Sequence, residues 1–261
     1  RAPNRATVYR REMNKFKSSC LVYCTLVCGI VLTGCDGPQS ALAPAGEAAE
    51  RIAGLFWWMT GFAAVIWIAV IVLTFYAVKA PPDRHDRRRT NLLIIGGGAV
   101  VPIIAVAVLA MYGLAPIPAL LAPAPDGSLR ITVSGEQWWW RVSYQPPGGE
   151  PVVLANEIRL PVGRPVEFRL ESPDVIHSFW IPALGGKIHM IPGRITRLAL
   201  TPTKTGVFRG ACAEYCGTSH ALMNFDVIVE ESAAFDRWLA QQRAPASTIN
   251  EPDAARGQEL F

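Results

Sequence analysis

Charge is scarce in this chain. Asp, Glu, Lys and Arg make up only 18% of 261 residues, and histidine occurs four times. The formal net charge of +4 is small, and its distribution excludes a nucleic-acid surface. Residues 1–114 hold 12 basic and 6 acidic side chains, whereas residues 115–261 hold 13 basic and 15 acidic. The basic excess therefore belongs to the apolar half, where it reports topology. Cysteine is equally sparse beyond residue 35, where only Cys212 and Cys216 follow. Two cysteines exclude a disulfide-built framework, and without a second distant pair they exclude a zinc finger. What abounds is apolar surface: 51% of residues are hydrophobic. That composition points to a membrane protein with one modest soluble domain.

The apolar residues are grouped. Arg10, Arg11, Lys15 and Lys17 precede a short apolar run, 21–32, and then Leu32-Thr-Gly-Cys35. That order is a secretory signal. L-T-G-C resembles the bacterial lipobox, whose cysteine becomes a diacylglyceryl-bearing amino terminus, so Cys35 is the expected lipidation site. The alternative, an uncleaved first span, needs a longer run than these twelve residues. Cys20, Cys24 and Cys28 are read as small apolar fillers. Residues 55–78 and 91–114 are each long enough to cross a bilayer as a helix, and Trp57 and Trp58 stand where an interfacial belt would lie. Gly96-Gly-Gly98 permits close approach of a partner helix. The loop between the spans, 79–89, contains Lys79, Arg84, Arg87, Arg88 and Arg89. A basic loop belongs in the cytoplasm, which puts everything after the second span outside. His85 in this loop is a solvated residue.

Beyond Pro116, Pro118, Pro123 and Pro125 the pattern turns to period two. Residues 129–133, 166–170 and 223–229 alternate apolar and polar positions, with Pro/Gly turns between them, which predicts a Greek-key sandwich or barrel. Residues 231–243 read as a closing amphipathic helix with Phe235, Trp238 and Leu239 on one face. In Trp138-Trp139-Trp140, alternation predicts Trp138 and Trp140 on one face and Trp139 on the other.

The densest chemistry is Cys212-Ala-Glu214-Tyr-Cys216-Gly-Thr-Ser-His220-Ala-Leu-Met223. Soft sulfur with imidazole suits copper better than magnesium, calcium or manganese. Two cysteines four apart on one loop can both bridge the same two ions. His220 then supplies one imidazole, Met223 a weak axial sulfur and Glu214 a backbone carbonyl. A second imidazole comes from Asp174-Val-Ile-His177, with Asp174 orienting His177 through its other ring nitrogen. A disulfide between Cys212 and Cys216 leaves the imidazole and thioether unexplained. Zinc gains nothing from a thioether, and a mononuclear blue-copper site would leave one thiolate over. The dinuclear copper reading uses every donor and suits electron transfer.

C-x-E-x-C-G-x-x-H-x-x-M, preceded by D-V-I-H-S-F, resembles the CuA signature of cytochrome c oxidase subunit II. The resemblance extends to Gly135-Glu-Gln-Trp-Trp-Trp140, to Leu160-Pro-Val-Gly-Arg-Pro165 and to Ile191-Pro-Gly-Arg194. It implies a membrane α-helical hairpin of two transmembrane helices followed by an all-β, cupredoxin-like Greek-key domain of about ten strands. The expected divisions are 1–35, an extension and lipoprotein-type signal peptide; 50–115, the transmembrane hairpin; 125–243, the CuA domain; and 244–261, a linker. By the same resemblance Trp138 is the electron-entry residue and cytochrome c the donor. Oxidase subunits I and III are the partners, with haem in subunit I the acceptor. Glu214 matches a position whose side chain helps bind magnesium at the subunit I contact. The slightly acidic balance of the domain fits a basic donor.

The chain departs from that family in three places. The start of the second span lacks the glutamate associated with proton entry. His189 stands where an aspartate is common, and is read as a structural histidine. The tail, 250–261, resembles the first helix of a small c-type cytochrome, which would bring haem c if a C-x-x-C-H sequence followed. The rival functions are a quinol oxidase subunit II, a nitrous-oxide reductase and a membrane-anchored copper-delivery protein. The complete ligand set disfavours the first. The absence of room for a propeller domain disfavours the second, and the aromatic segment the third.

Overall fold

The computed structural model describes residue 23 and residues 36–79, 86–120, 122–145, 149–244 and 256–257. The signal-like segment with Cys35, the loop residues around His85 and most of the tail after residue 244 lie outside the described residues. Among the described residues two helices are long and apolar enough to cross a membrane, α1 (Glu47–Lys79) and α2 (Leu92–Leu114). At about 1.5 Å per residue α1 is much longer than a bilayer core of about 30 Å. Its surplus is the polar first two turns, which carry Glu47 and Glu50 and bury Ala49 and Ala53. α2 opens with a π-helical stretch, Leu92–Val100, before the regular turns of Val101–Leu114. The glycine triplet lies inside that stretch, where poor α-helix formers make a wider turn cheap. Open space lies beside Gly97 and Gly98.

Among the described residues, ten short strands form two five-stranded sheets. In sequence they are β1 (Leu129–Glu136), β2 (Trp139–Tyr144), β3 (Val152–Ala155), β4 (Glu157–Pro161), β5 (Val166–Glu171), β6 (His177–Trp180), β7 (Ile188–Met190), β8 (Thr196–Leu200), β9 (Gly206–Cys212) and β10 (Asn224–Glu230). One sheet runs β3-β2-β1-β5-β8 and the other β4-β10-β9-β6-β7. The β1–β5 and β4–β10 pairs are parallel, while the other pairs are antiparallel. Period-two burial in β10, with Phe225, Val227 and Val229 inside, follows the sequence pattern directly. Between the sheets an aromatic core forms: Phe179 stacks on Phe225 at 5.1 Å and meets Trp140 edge-on at 5.8 Å. Each such fully buried ring contributes about 1.5–3 kcal/mol over an exposed one. Helix α3 (Ser232–Gln242) closes the sandwich by burying Phe235, which lies 6.3 Å from Tyr144.

The tryptophan triplet does not alternate as expected. Glu136 pairs with Trp139, so Gln137 and Trp138 form a two-residue hairpin turn. Trp140 is fully buried and Trp138 is 38% exposed. The strand period cannot hold across a turn, which is why the two rings part company.

A strap runs ahead of α1. Ala45 N–H donates to Ala183 O at 2.7 Å, and Ala45 O accepts from Thr203 N–H at 2.7 Å. Gly46 bridges Pro202, and a Cβ at Gly46 would lie 2.7 Å from Leu184 O. Ala45, Ala49 and Ala53, spaced by one helical turn, are all buried. The foot of α1 therefore rests on the 181–185 loop that follows β6, the strand that begins at His177.

Candidate metal centre

Three segments converge at one end of the sandwich. β6 brings His177, β9 ends on Cys212, and the loop to β10 carries Glu214, Cys216, His220 and Met223. Backbone bonds fix the loop: Cys212 N–H donates to Met223 O at 2.9 Å and Ala213 N–H to Ser178 O at 2.9 Å. A short 3-10 turn, His220–Leu222, folds Met223 back. The imidazole packs against the bare backbone of β1, where a Cβ at Gly135 would come within 3.1 Å of His177 Cδ2.

The donors form a row. His177 Nδ1 lies 3.7 Å from Cys212 Sγ, the two sulfurs lie 3.8 Å apart, and Cys216 Sγ lies 3.5 Å from His220 Nδ1. Met223 Sδ is 3.7 Å from Cys216 Sγ, and Glu214 O is 3.2 Å from Cys212 Sγ. The thiols are free, far beyond the ~2.05 Å of a disulfide. His177, Cys212 and Cys216 offer ligand atoms all within 4.8 Å of one another. One imidazole lies beside each sulfur. The soft, mixed donor set fits copper.

Electrostatics prepare the row. Asp174 Oδ1 accepts from Val175 N–H at 2.6 Å and meets His177 Nε2 at 2.9 Å, while Asp174 Oδ2 accepts from Gln137 N–H at 2.7 Å. Burial would raise the Asp174 carboxyl, but these donors outweigh it and hold it below the usual carboxylate range. With Nε2–H held by the carboxylate, Nδ1 is left to face the sulfur. Burial pushes the Cys212 thiol up, yet the adjoining His177 ring and the Ser178 backbone bring it down to about 6. Cys216 is pushed up to about 12, by burial first and then by the neighbouring Cys212 charge. One thiol ionises readily, and the second thiolate needs a cation beside it. Cys212, Cys216, Met223 and His177 are all buried, which shields the row from water.

Trp138 lies over this loop, its indole N–H donating to Cys216 O at 3.2 Å. Gln137 shares that acceptor at 2.7 Å, a contact that residue types alone do not announce. His189, read from the sequence as a structural histidine, with a polar group at the subunit contact as the alternative, lies at the edge of the site. It is half-exposed, with Nδ1 3.3 Å from Glu214 Oε2 and 3.1 Å from Ser178 Oγ.

Comparison with known proteins identifies the family. The family profile for cytochrome C oxidase subunit II, periplasmic domain, matches residues 149–232. Cytochrome c oxidase subunit 2 of Alkalihalophilus pseudofirmus is 34% identical over 245 residues, covering 89% of this chain and 71% of the relative. Quinol oxidase subunit 2 of Bacillus cereus is 29% identical over 238 residues, covering 84% of this chain and 79% of the relative. Among solved structures, the periplasmic domain of subunit II of cytochrome oxidase (CoxB) of Bradyrhizobium japonicum matches with 32% identity and a TM-score of 0.42, covering 46% of this chain and 96% of that one. This chain belongs to the cytochrome c oxidase subunit II family.

Proposed function

We propose that this chain accepts electrons from cytochrome c and delivers them to haem in subunit I, where oxygen is reduced to water. The observation that carries the reading is the row of buried His177, Cys212 and Cys216 with half-buried His220, flanked by Glu214 O and Met223. A dinuclear copper centre held there would supply a one-electron relay whose shared thiolate charge keeps geometry nearly constant. The chain's own residues do the rest. Asp174 fixes the orientation of His177, and the buried sulfurs exclude water. Trp138 links the surface to the Cys216 carbonyl, which makes it the entry residue. Among the relatives are quinol oxidase subunits, but a quinol-fed chain has no use for a complete soft-donor row.

The setting follows from topology. The basic loop between α1 and α2 belongs in the cytoplasm, so the β domain stands on the periplasmic side of the bacterial inner membrane. Residues 1–35 act as a lipoprotein-type signal, with Cys35 lipidated. The paired spans, 50–115, dock on subunit I, with subunit III in the same complex. The domain of residues 125–243 carries the relay. Glu214, exposed beside His189, takes part in a magnesium site at the subunit I contact, where a hard carboxylate oxygen suits that ion.

His220→Asn in the assembled oxidase tests the central step. Oxidation of cytochrome c is expected to collapse while membrane insertion, followed by protease accessibility of the β domain, stays normal. Wild-type turnover in that variant would contradict the route.

A further inference from the structure

One residue outside the donor row touches two of the loops that build it, one through its backbone and one through its side chain. Gln137 donates its backbone N–H to Asp174 Oδ2 at 2.7 Å and its carboxamide N–H to Cys216 O at 2.7 Å. The first bond reaches the carboxylate that orients His177, and the second reaches the backbone of a proposed bridging cysteine. The next residue, Trp138, donates its indole N–H to that same oxygen at 3.2 Å. A carbonyl oxygen has two lone pairs, so this one is saturated, and its shorter bond is to Gln137.

The approach is close because the loop backbone is bare. Gly217 has φ of +119°, a conformation that glycine adopts without a steric penalty. A Cβ there would meet Gln137 Nε2 at 3.1 Å and Trp138 Nε1 at 3.2 Å. The turn 137–138 therefore lies flat on the Cys216–Gly217 peptide. Trp138 by itself is weakly held: its ring is 38% exposed and its one bond here is long. Gln137 is the anchor that keeps that ring in register.

We infer that Gln137 is a positioning residue for electron entry, clamping the Trp138 ring against the Cys216–Gly217 peptide while tying it to the Asp174–His177 pair. The inference rests on the copper reading above. Docking of the electron donor is a separate role that an exposed glutamine could play, and the two roles separate kinetically. A docking residue changes apparent affinity for the donor. A positioning residue changes the rate of electron entry once the donor is bound, because misplacement of a reacting group is costly even when binding is intact.

The test uses the assembled oxidase carrying Gln137→Glu, which keeps the size but turns an acceptor toward the Cys216 carbonyl, and Gln137→Leu, which removes both polar atoms. Electron entry from bound, reduced cytochrome c is followed by stopped flow, KM in steady state, and the copper signal by electron paramagnetic resonance. Entry is expected to slow about tenfold in each variant, with KM unchanged and the two-copper hyperfine pattern retained. Should the leucine variant fail to assemble, the isosteric glutamate variant decides alone. Wild-type entry rates would overturn the inference, and so would a raised KM with normal entry, or loss of copper confined to the variants. A wild-type protein without two-copper hyperfine would instead bring down the copper reading, and this inference with it.

Discussion

Asp174 shows how little a single residue needs to reach in order to set the chemistry of another. Its two oxygens accept from Gln137 and Val175 and hold His177 Nε2, so the carboxylate is saturated and stationary. Its value lies in orientation, because an imidazole free to rotate would present either nitrogen to the sulfurs. Asp174→Asn preserves the size and one acceptor oxygen but removes the charge. Copper affinity in a competition titration with a chelator is expected to fall about 10–100-fold, with the fold intact by circular dichroism. Undiminished affinity would show that His177 is positioned by packing alone. Packing does contribute: Gly135 lies against one face of the ring, and Trp140 stands 6.3 Å away, centroid to centroid.

At the scale of elements, the strap from residue 36 to the foot of α1 is the feature that ties membrane and site together. Ala45, Gly46 and Ala49 bond to Ala183, Leu184 and Thr203 or bridge Pro202, and small side chains make that approach feasible. Gly46→Val would drive a side chain into the Leu184 carbonyl. Such overpacking costs about 1–3 kcal/mol, and loss of amide-exchange protection at Ala45 and Ala49 is the expected sign. Unchanged protection would mean that the strap is not anchored there. No pattern in residues 36–46 announces this contact, since alanine, proline and glycine in a short run read as linker. The long elements are different. The spans, β1, β5, β10 and α3 follow from hydropathy or period-two and helical spacing, because each faces one environment along its length. β6 does not, since His177, Ser178 and Phe179 are all buried and no alternation survives. The donor row was legible for a different reason. Five of its six members fall within the twelve residues 212–223, so local spacing carried it, and His177 entered through its Asp174 partner. The Gln137 contacts were not legible, because two of the partners it joins lie 37 and 79 residues away.

For the whole molecule, the architecture places a dry, preformed donor row at one end of a rigid sandwich. α1 and its strap attach to the face near β6, while the segment after α2 enters the same domain at β1. The row reaches the surface through Trp138 and lies beside the Glu214–His189 corner. An electron could therefore enter at one place and leave at another with little motion of the protein between. That economy depends on two metal ions sharing the Cys212 and Cys216 sulfurs. The measurement that tests this most directly is electron paramagnetic resonance of the copper-loaded, intact chain, together with its copper-to-protein ratio. Hyperfine splitting from two equivalent coppers sharing one unpaired electron, at two copper ions per chain, is predicted. The splitting of a single copper at one ion per chain would contradict the account.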